Sequence, residues 1–143
     1  KGSNLFRTTV LENVMEGLRA RGVTRPAARD ASMMWLDRLK VDHLADRHAR
    51  TLSSGEAARV AFARALAIEP GVLFLDEPFS SLDPSFRGGF IEELSALLHG
   101  SAIACLLVTH DPAEARTLAD EVAVLEEGRI TRRGVSAKVL PTA

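Results

Sequence analysis

The sequence predicts an α/β fold in which a helical segment precedes a mostly parallel sheet. In roughly the first half of the chain, apolar residues recur at helical spacing. In the second half, short apolar runs alternate with further helical segments, and strands joined by helices imply right-handed crossovers and parallel pairing. We therefore expect residues 1–69 to form a helical subdomain and residues 70–143 to form part of an α/β core.

Three helices are predicted in the first half. The first covers residues 10–18, and Gly22 ends it. Thr24 is a plausible N-cap for the second, with Pro26 in the first turn. The third covers residues 54–68, where a Glu-Pro-Gly sequence stops it.

Strands and helices alternate after that point. Pro, Gly, Ser and Asp residues mark most of the boundaries. The predicted elements are a strand over residues 72–76, a helix over 84–98, a strand over 103–109, a helix over 112–118, a strand over 122–125, a turn at Glu127-Gly128 and a last strand near 129–133.

The overall composition excludes several classes of protein. With 143 residues, 46% of them hydrophobic and 26% charged, the chain has the profile of one ordinary globular domain. A net charge of −1 creates no general attraction for nucleic acid, so no nucleic-acid partner is expected. The longest apolar run, residues 103–108, is far too short to cross a bilayer, and Cys105 has no second cysteine to pair with.

Two adjacent acids, Asp76 and Glu77, follow the apolar run of residues 72–75. Four consecutive apolar residues predict a strand buried on both faces, and its carboxyl end is where ligands bind in open parallel sheets. Because a buried pair of acids costs stability, we expect this pair to hold a cation and a reacting water. The structural alternative is a helix N-terminus that carries acids to suit its dipole.

Four motifs in a fixed order resemble those of the ATP-binding cassette (ABC) ATPases, whose core is P-loop NTPase-like. The resemblance extends over residues 5–134, and four motifs in sequence are far more specific than any one of them. The motifs are Leu52-Ser53-Ser54-Gly55-Glu56 (the family signature), residues 72–77 (the Walker B strand and its glutamate), Ser81-Leu82-Asp83 (the D-loop) and His110 (the switch histidine).

The resemblance implies that the signature binds nucleotide. It would open a helix whose amides face the γ-phosphate of ATP held by the opposite subunit. Ser53 would donate a hydroxyl hydrogen bond, and Gly55 would leave room for the phosphate. Ser54 and Glu56 stand where the family usually has glycine and glutamine. Ser53 and Glu56 also have a purely structural interpretation, as a helix cap.

The other motifs carry further implied roles. Asp76 would support Mg²⁺ through a bound water, and Glu77 would be the general base for the attacking water. His110 would contact the γ-phosphate and Glu77. Taken alone, it would be interpreted as an ordinary histidine at a strand end, but its place in this motif order favours the functional role. Residues 81–83 would lie at the boundary between two subunits. The implied cofactors are therefore ATP and Mg²⁺.

One expected motif is missing. A P-loop needs Gly-x-x-x-x-Gly-Lys, and the three lysines, Lys1, Lys40 and Lys138, do not follow a glycine. We interpret the chain as the carboxyl-terminal portion of a nucleotide-binding domain. The isolated chain is then expected to hydrolyse ATP negligibly, and its incomplete sheet is expected to expose apolar surface and to favour self-association.

The resemblance implies a transport motor at the cytoplasmic, inner face of the plasma membrane. Its partners would be a second nucleotide-binding subunit, transmembrane permease subunits and a solute-binding protein. Residues 109–115 resemble bacterial importers, among which those for tungstate or molybdate come nearest. Two alternatives stay open: a cassette ATPase acting on nucleic acid or the ribosome, although heptads and basic stripes are absent, and a non-catalytic module, which is expected to lose Glu77 or His110.

Overall fold

The computed structural model describes residues 5–140 and contains every helix and strand that the sequence predicts. Short helices beyond these are the last one and two 3₁₀ helices between α2 and α3, at Asp42–Leu44 and Ala49–Thr51. In chain order the elements are α1 (Val10–Ala20), α2 (Arg25–Arg38), α3 (Ser54–Ala67), β1 (Val72–Asp76), α4 (Pro84–His99), β2 (Ala104–Val108), α5 (Pro112–Leu118), β3 (Glu121–Glu126), β4 (Arg129–Val135) and α6 (Ser136–Val139).

The first three helices pack around a common apolar core. Thr9 caps α1, since its side chain accepts a hydrogen bond from the Glu12 amide at 3.3 Å. Thr24 occupies the N-cap position of α2 as predicted, but its side chain makes no capping hydrogen bond there. The fully buried apolar side chains at the centre include Val10, Val14, Leu36, Val60 and Leu66.

An aromatic cluster joins these helices to the rest of the molecule. Phe62 of α3 stacks on Phe79 with 6.0 Å between ring centroids, and Phe90 of α4 lies edge-on to both. Phe79 is completely buried and comes two residues after Glu77. The loop that follows the acid pair is therefore anchored in the core.

The strands form two separate pairs. β1 and β2 are parallel, as predicted, with Phe74 opposite Leu106. β3 and β4 are antiparallel, so the expectation of a mostly parallel sheet holds for the first pair only. The reason is the two-residue turn at Glu127-Gly128, where both residues have positive φ (49° and 77°), because such a turn joins neighbouring antiparallel strands.

The prediction that β1 is buried on both faces is wrong. Leu73 faces the core. Within residues 5–140 this sheet has two strands, and the face opposite Leu73 is left uncovered. The expected exposure of apolar sheet surface is thus confirmed. The large apolar side chains on this face are Val72 (52% exposed), Phe74 (73%), Leu106 (55%) and Val108 (53%).

Candidate active site

The carboxyl ends of β1 and β2 lie side by side and carry the acid pair and the histidine. Asp76 pairs with Val108 in the parallel register, and the Glu77 amide donates a 2.9 Å hydrogen bond to the Val108 carbonyl. Thr109 and His110 follow directly after Val108. The sequence placed these groups at one edge of the sheet, and the structure brings them together there.

The expected burial of the two acids is wrong. Asp76 is exposed, and the side chain of Glu77 retains 35% of its accessible surface. The cause is the same open sheet face that exposes Phe74. The cost of burying charge therefore does not argue for a functional acid pair in this structure. The argument that the pair is functional depends on the positions of the side chains instead.

Glu77 and His110 are in direct contact. Nδ1 of His110 lies 2.7 Å from Oε1 of Glu77, although the imidazole is 77% exposed. The hydrogen bond to Glu77 and the negative charge of that carboxylate raise the pKa of His110. The carboxylate of Glu77 and the titratable imidazole of His110 therefore lie in contact at the strand ends.

The backbone of Glu77 is in an unusual conformation. Its φ is +45°, a left-handed value that is uncommon for a residue with a Cβ and that Lys40, Glu69 and Glu127 also adopt in this chain. Ser80 helps to hold it, since its hydroxyl donates to the Glu77 carbonyl at 2.9 Å. Strain of this kind is concentrated at functional positions in proteins.

The signature residues form a complete capping box at the start of α3. The Ser53 hydroxyl accepts from the Glu56 amide at 3.3 Å, and the Glu56 carboxylate accepts from the Ser53 amide at 2.7 Å. The backbone hydrogen bond from Ser53 lowers the pKa of Glu56, and Arg47, at 3.6 Å, acts in the same direction. The structural interpretation of these two residues is confirmed.

Gly55 faces an aromatic ring that sequence reasoning missed. A Cβ at Gly55 would lie 3.0 Å from the ring of Phe86, which belongs to the first turn of α4. Arg59 lies over the same ring at 5.0 Å. The signature glycine therefore allows α3 and α4 to approach each other, and no spacing in the sequence links residues 55 and 86.

The three D-loop residues differ in their exposure to solvent. Ser81 and Asp83 are exposed, and Asp83 caps α4 by accepting from the Ser85 amide at 2.9 Å. Hydrogen bonds from Ser85 lower the pKa of Asp83. Leu82 is buried in the core of this chain, so its side chain is not presented to a second subunit.

A cleft of about 940 Å³ lies between the start of α3 and the end of β1. The signature residues on one side and the acid pair on the other contribute to its wall, whereas His110 and Asp83 lie outside it. The predicted site residues that line this cleft are Leu52, Ser53, Ser54, Asp76, Glu77 and Ser81.

The donor set at the strand ends fits magnesium only in part. Residues 5–140 contain no group of three His, Cys, Asp or Glu side chains arranged to hold a metal ion. Mg²⁺ keeps several of its waters and commonly takes one or two protein carboxylates together with substrate phosphates. The exposed carboxylate of Asp76 fits such a partial role.

Comparison with known proteins adds a consistent result. The family model described as ABC transporter matches residues 2–80. The sulfate/thiosulfate import ATP-binding protein CysA of Bradyrhizobium diazoefficiens is 44% identical over 91% of this chain and 39% of its own length. The molybdenum import ATP-binding protein ModC of Mycobacterium tuberculosis is 43% identical over 92% of this chain and 37% of its own length.

A third relative and a solved structure agree with these two. The spermidine/putrescine import ATP-binding protein PotA of Ruegeria pomeroyi is 40% identical over 88% of this chain and 34% of its own length. The structure of cbiO1 from Clostridium perfringens, part of the ABC transporter complex cbiONQ, superposes with a TM-score of 0.85 at 31% identity, covering 94% of this chain and 54% of that one. The chain thus spans about two fifths of the length of the curated relatives it matches. Within residues 5–140, no helix combines the length and the apolar character needed to cross a membrane.

Proposed function

The chain belongs to the ABC transporter family, and from that premise we propose that it is the carboxyl-terminal portion of a nucleotide-binding domain in the ATP-hydrolysing subunit of an importer. Residues 1–69 act as the helical subdomain and residues 70–143 as the second half of the α/β core. The similarity to the import proteins CysA, ModC and PotA supports import over export.

The observation that carries this proposal is the contact between Glu77 and His110 at the ends of two parallel strands. Glu77 acts as the general base that orients the attacking water, and His110 holds the carboxylate in place and contacts the γ-phosphate. Asp76 would hold Mg²⁺, and the ion would neutralise phosphate charge. A module without catalysis has no need of this pair.

The signature completes the site of a partner subunit. The capping box occupies the amides of Ser53 and Glu56, which leaves those of Ser54 and Gly55, with the positive dipole end of α3, to face an anion. On this basis residues 52–56 bind the γ-phosphate of ATP carried by a second nucleotide-binding subunit. Exposed Ser81 and Asp83 contact that subunit. Permease subunits and a solute-binding protein complete the assembly, on the cytoplasmic face of the plasma membrane.

The cargo we propose is an oxyanion. Similarity to the sulfate/thiosulfate importer CysA and the molybdenum importer ModC supports this class, while similarity to the spermidine/putrescine importer PotA points to polyamines. Turnover by the assembled transporter should rise when its solute-binding protein carries sulfate or molybdate. Stimulation by spermidine alone would overturn the oxyanion assignment.

The decisive experiment replaces Glu77 by Gln in the intact ATPase that carries this sequence, assembled with its permease. We expect turnover to fall about 10²–10⁴-fold, the range for loss of a general base, while ATP binding is retained. Initial phosphate release and equilibrium ATP binding are the two measurements.

Glu92→Gln is the matched control, because Glu92 is an exposed residue of α4 remote from the strand ends in sequence. This control should turn over at the wild-type rate. A Glu77→Gln protein that also keeps the wild-type rate would contradict the proposed role of Glu77.

A further inference from the structure

A charged network lies beside the proposed catalytic pair and involves residues outside the signature, the Walker B strand, the D-loop and the switch histidine. Glu114 of α5 is only 2% exposed, yet it is a carboxylate. Its two oxygens accept hydrogen bonds from Arg87 Nη2 and from the Thr109 hydroxyl. Arg87 Nη2 also contacts Asp111 at 2.6 Å.

Burial makes the position of Glu114 well defined. A buried carboxylate is costly unless it is paired and hydrogen-bonded, and here both oxygens have partners. Moving Arg87 or Thr109 away would leave a charge inside the protein without compensation. The three side chains are therefore expected to move together.

The network fixes both neighbours of His110. The Thr109 hydroxyl accepts from the Asp111 amide at 3.1 Å, and the Asp111 carboxylate caps α5 by accepting from the Ala113 amide at 2.8 Å. His110 lies between them in the chain, and its imidazole is largely exposed, so packing does little to hold it. The flanking bonds set the place from which the ring reaches Glu77.

The other end of the network lies next to the D-loop. Arg87 is in the first turns of α4, and its amide donates to the carbonyl of Asp83 at 3.0 Å. A shift of the D-loop that moves the start of α4 also moves the guanidinium. Arg87 thus connects the subunit-facing loop to the loop that carries the histidine.

We propose that Arg87 and Glu114 are positioning residues that couple the D-loop and the first turns of α4 to His110, so that the position of α4 sets where the histidine lies relative to Glu77. The inference rests on the proposed function, because it assigns a regulation of that same site. Neither residue touches ATP in this proposal. Both act through the histidine.

The test is a double-mutant cycle in the intact ATPase assembled with its permease. Glu114→Gln and Arg87→Gln should each lower kcat about tenfold, with KM for ATP unchanged, because contacting residues couple by amounts of this order. Arg87→Lys should restore part of kcat. Combined with His110→Ala, Glu114→Gln should cause no further loss, since its effect passes through the histidine.

The controls separate this inference from the function on which it rests. Glu92→Gln on α4 should leave kcat unchanged, and thermal unfolding monitors the fold of every variant. If His110→Ala slows turnover while Glu114→Gln and Arg87→Gln do not, or if the losses from Glu114→Gln and His110→Ala multiply, the coupling is overturned and the function stands. If His110→Ala keeps the wild-type rate, the role of His110 and the coupling both fall. If Glu114→Gln does not fold, the same cycle with Arg87→Gln decides.

Discussion

At the scale of single residues, Gly55 is a position where two separate requirements, binding and packing, both favour glycine. The family resemblance explains this glycine by the approach of a phosphate, whereas the structure places the ring of Phe86 against it. The guanidinium carbon of Arg59 lies 5.0 Å from the centroid of this ring, and the centroid of the Phe90 ring lies 5.4 Å from it. The ring of Phe86 therefore cannot move aside freely. The glycine therefore serves the packing of α3 on α4 even when no nucleotide is bound.

We predict that Gly55→Ala lowers the free energy of unfolding by about 1–3 kcal/mol, the usual cost of overpacking. Phe86→Ala in the same chain should relieve the clash, so that the double variant loses less than the sum of the two single changes. Denaturant titration of the four proteins measures this coupling. If, in the intact ATPase, ATP turnover of the double variant stays below that of Phe86→Ala alone, the glycine also serves the phosphate.

Gly88→Ala provides the control, since a Cβ there meets nothing within 4 Å and the residue is an exposed position of α4. Alanine favours a helix over glycine, so this variant should be at least as stable as the wild type. Strictly additive losses in the cycle of Gly55 and Phe86 would show that the ring is not what the glycine accommodates.

Residue-level roles were only partly accessible from the sequence. The motif order predicted that Glu77 and His110 would meet, because two parallel strands bring their carboxyl ends to one edge. The burial of Glu114 gave no signal, since a Glu on a short polar helix ordinarily faces solvent. Its partners Arg87 and Thr109 come from two other segments, and such pairings depend on the tertiary fold.

At the scale of elements, the sequence predicted type and boundaries well and burial poorly. β1 and α5 have the predicted bounds, because prolines, acids and serines mark their ends locally. The apolar run in β1 predicted two covered faces, but coverage depends on neighbours that a local pattern does not specify. An unbroken apolar run therefore does not show by itself that both faces of a strand are covered. Within residues 5–140, Phe74 is exposed to solvent.

The cap of α3 carries a prediction about pH. The backbone hydrogen bond from Ser53 lowers the pKa of Glu56 below its ordinary value of 4.5. Because the folded-state pKa is the lower one, this carboxylate stabilises the fold above the ordinary pKa, and the contribution is lost as the pH falls through the lowered value. Glu56→Gln keeps an acceptor for the Ser53 amide but should remove this part of the acid dependence.

The measurement is the loss of unfolding free energy between pH 7 and about pH 3, obtained by denaturant titration of the wild type and of Glu56→Gln. The loss should be smaller in the variant. Glu92→Gln, a change of the same type on the exposed side of α4, should match the wild type. Equal losses of unfolding free energy in the wild type and Glu56→Gln would show that the negative charge of Glu56 in the capping box does not stabilise α3.

At the scale of the whole molecule, one core serves both parts of the chain while one sheet face is left open. Phe62 lies on the helical side of the proposed boundary and Phe79 and Phe90 on the other, yet the three rings are in contact. The helical part is therefore held firmly to the strands that carry the acid pair. This core does not cover the open face of β1 and β2, because Phe74 lines the cleft between α3 and β1 and remains exposed there.

The open face predicts how the 143-residue chain behaves in isolation. Phe74 and Leu106 are register partners on one exposed surface, and contiguous apolar patches of this kind drive association. We expect the isolated chain to self-associate with rising concentration, and Phe74→Lys with Leu106→Lys to shift it towards monomer in sedimentation velocity. Met34→Lys, which replaces an exposed apolar residue of α2, should leave association unchanged, because that side chain lies outside the sheet face. Association that persists in the double lysine variant would place the contact elsewhere, and the exposed apolar side chains of the β3–β4 hairpin, such as Leu125 and Ile130, would then be the surface to change next.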